Sequence, residues 1–158
     1  MIMIRVDMAF LGVLFIAVFF LALLLMIALA IISLIVIGSG AVALAAGGLA
    51  GASTIKDNLT KKLTLLVCLA VFLFAVSCFA LVGILVWSDA YITLLIVGYV
   101  SEAATITLGI IGLVNVRNIT KKVAKVLFIV LFSLAVGLGV LALGIFALAT
   151  YLPLPFLP

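Results

Sequence analysis

The chain contains no histidine and only four acidic residues. The side chain that titrates nearest neutral pH and ligates metals most often is therefore missing, and Asp7, Asp57, Asp89 and Glu102 are the whole supply of carboxylates. No cluster of metal ligands, no nucleophile beside a base and no phosphate-binding loop can be assembled from this sequence. An enzyme is not expected, and neither is a cofactor or a metal. Proline is absent before Pro153, so nothing interrupts a helix on steric grounds until the last residues. The two cysteines, Cys68 and Cys78, lie ten residues apart in one apolar segment. That spacing puts them on different faces of a helix, and free thiols are expected rather than a disulfide.

What is present is hydrophobic. Of 158 residues, 71% are hydrophobic and 8% are charged, too little polar surface for a domain in water. The expected class is an all-α integral membrane protein with four or five transmembrane helices and a single transmembrane domain over residues 1–158. The net charge of +4 does not point to nucleic acid, because the cations fall in short connections between apolar runs.

From Met8 to Ile55 there is no charge. As one helix this run would be about 70 Å long, more than twice the hydrocarbon core. Either it is two spans, an extra N-terminal one over 8–28 and a second beginning near residue 31, with a tight turn near Ala28 to Ser33, or it is one long helix sheathed by a partner. The two-span reading is the expectation, although no Pro, Asn, Asp or Gly occurs from Val13 to Ile37 to mark the turn. Arg5 ahead of an apolar run looks like a signal peptide, but the run continues past Ala28-Leu29-Ala30, so an uncleaved first span is expected. Leu63 to Trp87, Tyr91 to Val116 and Val126 to Thr150 are the remaining spans. Residues 151–158 hold three prolines and are expected to be an extended tail.

Asn58-Leu59-Thr60-Lys61-Lys62 recurs sixty residues later as Asn118-Ile119-Thr120-Lys121-Lys122. At the same offset Ser33 to Gly38 matches Thr93 to Gly98, and Phe72 matches Phe132. The expectation is an internal duplication of a helix–loop–helix hairpin, one copy over about 31–87 and the other over about 91–150. Seven of the eight cations (Lys56, Lys61, Lys62, Arg117, Lys121, Lys122 and Lys125) lie in the two matching loops, which should then be cytoplasmic. Trp87, Tyr91 and Tyr151 fall at the opposite end, where an aromatic belt belongs. The location expected is the plasma membrane of a bacterium or archaeon. The lysines orient the chain and are also candidates for anionic lipid head groups. Asn58 and Asn118 begin glycosylation sequons that cytoplasmic lysines would keep unmodified, and their loop is a candidate helix cap.

Three candidate features remain. Glu102 lies eleven residues past Tyr91, near the bilayer middle, where a charge costs at least about 2.5 kcal/mol. With Ser101 and Thr105 beside it and Thr107 nearby, it either handles a proton or small cation, meets a cation of another subunit, or is a neutral carboxyl bonded to a hydroxyl or carbonyl. Ser39, Ala43, Gly47 and Gly51 recur every four residues and share one helix face, with GxxxG at its end. That stripe packs either on the chain's own helices or on a partner. Cys68, near the cytoplasmic interface, is either acylated or a buried thiol.

In plan, two glycine-bearing hairpins and one midplane Glu resemble the duplicated proteolipid subunits of rotary ATPases. There the carboxylate sits on the second helix of a hairpin, whereas Glu102 is on the first helix of the second pair. The resemblance implies ion handling at Glu102. The composition implies a non-catalytic accessory or assembly subunit of a membrane complex, whose partners are the bilayer and a membrane protein or further copies of itself. A proton or small-cation transporter is the alternative, and a holin-like or toxin-type pore former the third.

Overall fold

A computed structural model describes residues 8–87 and 89–151. Arg5, Asp7, Ser88 and the tail beyond Tyr151 lie outside the described residues. The described residues are all-helical in their regular structure: α1 is Met8–Ala52, α2 Asn58–Val86, α3 Tyr91–Val116 and α4 Lys122–Tyr151. Each of the four is long and apolar enough to cross a membrane.

The turn expected between Ala28 and Ser33 does not form. Helix α1 runs unbroken for 45 residues. Ser33, the one polar residue there, turns its hydroxyl back on the Leu29 carbonyl at 2.8 Å and so supports the helix it was expected to end. A break would also free backbone groups with no water to receive them. The candidate spans therefore number four among the described residues, not five.

The chain divides into two units, Met1–Ser33 and Leu34–Pro158. In the first, the described helix is apolar on every side, with Phe15, Phe19 and Phe20 exposed. Such a helix is built for lipid or for other helices.

In the second unit, each helix runs antiparallel to the one before it. A side chain added at Gly38 would meet Phe79 and Cys78 of α2, and one at Gly48 would meet Cys68: ten residues forward on α1 is ten back on α2. Gly83 of α2 faces Leu94 of α3, and Ser77 of α2 bonds Glu102 of α3. Between α3 and α4 the glycines are sockets. Gly98 and Gly112 receive the rings of Phe146 and Phe132, Gly109 receives Val136, and Gly139 receives Ile106. Phe132 and Phe146 are fully enclosed as a result. Large side chains seated in backbone notches on the facing helix are how apolar helices associate when lipid is the solvent, since dispersion and close approach replace the hydrophobic effect.

The helix ends are closed by local bonds. Ser53 and Thr54 donate to the carbonyls of Ala50 and Gly51 at the end of α1. Asp57, not Asn58, caps α2: its carboxylate accepts from the Thr60 amide at 3.2 Å and from the Thr60 hydroxyl. At the opposite end the Tyr91 hydroxyl donates to the Ala149 carbonyl at 2.7 Å, tying the start of α3 to the end of α4.

Candidate functional site

Glu102 is completely enclosed, on the face of α3 that also carries Gly98, Thr105, Gly109 and Gly112. It sits between α2 and α4, with the backbone of Gly139 close by: a Cβ there would lie 3.3 Å from Glu102 Oε2. Without a side chain at position 139 the carboxyl fits inside the bundle. Its partner is Ser77 of α2, whose hydroxyl is hydrogen-bonded to Oε1. The same hydroxyl lies 2.8 Å from the Phe74 carbonyl. Glu102 Oε2 has no partner among the described residues.

The three hydroxyls expected to serve Glu102 do not. Ser101 donates to the Gly98 carbonyl, Thr105 to Ser101 and Thr107 to Ala103, each bonding back to its own helix. In α3 each of these side chains has a carbonyl three or four residues back within reach. Ser77 was out of view because reaching Glu102 depends on the register between two helices. Ser101 and Thr105 are nevertheless buried beside Glu102 and keep that wall narrow.

The small residues of α1 occupy two faces. The face packed on α2 is Gly38, Ala41, Ala45, Gly48 and Ala52. Ser39, Ala43, Gly47 and Gly51 lie on another face and are exposed. A Cβ built at Gly40, Gly47 or Gly51 meets nothing within 4 Å.

Cys68 and Cys78 are free thiols, both buried, with Cys68 Sγ against the backbone of Gly48. Of the basic residues, Lys56 and Lys121 line a cleft to which both matching loops contribute, and Lys61, Lys62, Arg117, Lys122 and Lys125 stand outside its walls. At the other end Trp87 and Tyr151 are exposed.

Comparison with protein-family models, with curated proteins and with solved structures finds no match to this chain.

Proposed function

We propose that this protein is a non-catalytic subunit of a larger membrane assembly, joined to it by helix packing, and that the free small-residue face of α1 is where a helix of a partner subunit lies. The observation that carries this reading is the contrast within α1. One small-residue face is filled by α2, and the other, Ser39, Ala43, Gly47 and Gly51, is exposed, with open space at both of its glycines among the described residues. Glycine weakens a helix interior by about 1 kcal/mol relative to alanine and offers lipid little surface, so its use is close approach of another backbone.

The same reading puts the protein in the plasma membrane of a bacterium or archaeon. The lysine-rich connections α1–α2 and α3–α4 face the cytoplasm, and Trp87, Tyr91 and Tyr151 the other side. The sixty-residue recurrence belongs to it as an internal duplication: residues 34–86 and 91–151 are each an antiparallel hairpin turning at the matching loop.

The test is purification from native membranes in mild detergent. The wild type should elute with another membrane subunit, and Gly47→Leu should elute alone with unchanged helix content. Retention of one assembly peak by Gly47→Leu overturns the reading. A peak containing only this chain would replace the partner subunit by a second copy.

Proton or small-cation transport is a second reading, and it draws on the unpartnered Oε2 of Glu102. Glu102→Gln in liposomes should then abolish a flux that the wild type supports. No flux in the wild type, or an unchanged one in the variant, removes it.

A further inference from the structure

The two matching loops lie side by side. From the first come Lys56, Asp57 and Thr60, and from the second Asn118, Thr120 and Lys121, all lining one cleft of about 690 Å³. The inner wall is apolar, made by Ile55, Leu59, Ile119 and Ala124. Ile119 and Leu59 belong to the cluster of Leu63, Val116, Phe128 and Phe132, so the cleft passes directly from charged rim to hydrophobic core.

We propose that this cleft binds the phosphate ester of an anionic membrane lipid. Lys56 and Lys121 give its wall an excess of positive charge over Asp57, and Thr60, Asn118 and Thr120 bring hydrogen-bonding groups. The start of α4 adds to this. Its first turn contributes Ala124 to the wall and holds no acidic residue, so the partial positive charge of the helix end is not offset by a carboxylate as Asp57 offsets it on α2. The Asp57 carboxylate is bonded to Thr60, and Lys121 acts on it only as a smaller through-space charge.

A lipid suits the site better than free phosphate because α4, whose first turn forms part of the cleft, also carries exposed aliphatic surface. The exposed strip Val123, Val126, Leu127 and Val130 runs down α4 from Lys122, giving an acyl chain an aliphatic track below the head group. A free anion would use the rim and leave that strip unused.

The experiment is native mass spectrometry of the full chain in mild detergent, titrated separately with phosphatidylglycerol, phosphatidylcholine and inorganic phosphate. The wild type should retain phosphatidylglycerol in preference to phosphatidylcholine, and millimolar inorganic phosphate should not displace it. Lys56→Gln with Lys121→Gln should weaken that binding by about thirtyfold, the loss expected for two cations near a charged surface. Lys62→Gln with Lys125→Gln removes the same charge from outside the cleft and should weaken it only a few-fold. Equal loss in both pairs means general attraction to the basic end and overturns the site. Equal retention of phosphatidylcholine, or full displacement by inorganic phosphate, overturns the lipid.

Discussion

Ser77 and Glu102 meet across the α2–α3 interface, and the Ser77 hydroxyl has a second acceptor, the Phe74 carbonyl, at 2.8 Å. A hydroxyl carries one hydrogen. Both contacts are satisfied together only when the carboxyl brings its own proton, so that Glu102 donates to Ser77 and Ser77 to Phe74. The prediction is a neutral Glu102 at pH 7, visible as a protonated-carboxyl stretch in the infrared spectrum and missing from Glu102→Gln. Since Gln keeps a donor at that place, the variant should stay within about 1 kcal/mol of wild-type stability. A spectrum without the band, or collapse of the Gln variant, contradicts this.

Gly98 should tolerate no side chain. An added methyl would occupy the space of the Phe146 ring, which is fully enclosed and has no free direction to move. Gly98→Ala should cost about 1–3 kcal/mol, as overpacking does. Combining it with Phe146→Leu should recover part of that loss, so the two effects should not add. Reversible unfolding in mixed micelles measures both. Gly47→Ala, which meets nothing, is the control and should cause no loss of fold.

Asp57 holds the first turn of α2. The Thr60 hydroxyl and amide keep its carboxyl below the usual carboxylate range, with a smaller pull from Lys121. A group whose value is lower in the folded state stabilises that state above its unfolded value and ceases to do so as pH falls through the folded one. Acidification below the ordinary carboxylate range should therefore fray this helix start. The protection of the Thr60 amide, measured against its intrinsic exchange rate, should fall under acid, and in Asp57→Ala it should be low at every pH. Protection unchanged by Asp57→Ala would rule out the cap.

Cys68 should be chemically quiet. It is enclosed against Gly48, and neither acylation nor a membrane-permeant maleimide should reach it in the folded chain. Gly48→Ala should force the thiol out of place and expose it, and Cys68→Ala should relieve the Gly48→Ala variant. Rapid labelling of the wild type would contradict the packing.

Much of this architecture was legible in the sequence. The apolar runs located α2, α3 and α4, although α2 and α4 start about a turn earlier than the loss of charge suggested. Lys61, Lys62 and Lys125 are helical residues, because lysine favours a helix and its stem can lie along apolar surface while the ammonium reaches the interface. The depth of Glu102 left its surroundings open, and only the register between α2 and α3 shows it enclosed against Ser77. The packed face of α1 could not be chosen, because small residues line both faces and only Phe79, Cys78 and Cys68 on α2 decide between them. The continuity of α1 was missed for a different reason: membrane thickness argued for a turn, and local sequence held none.

The loops that align at sixty residues do not share a shape. Thr60 lies in the first turn of α2, whereas Thr120 lies in the irregular stretch before α4. The two pentapeptides differ only in the branch point of one aliphatic side chain, Leu59 against Ile119. What separates them is the residue just ahead: Asp57 supplies a cap, and Arg117, at the corresponding place, ends α3. Cut free in solution, the two peptides would be nearly indistinguishable. Where each helix begins is thus written outside the motif, in a single neighbour.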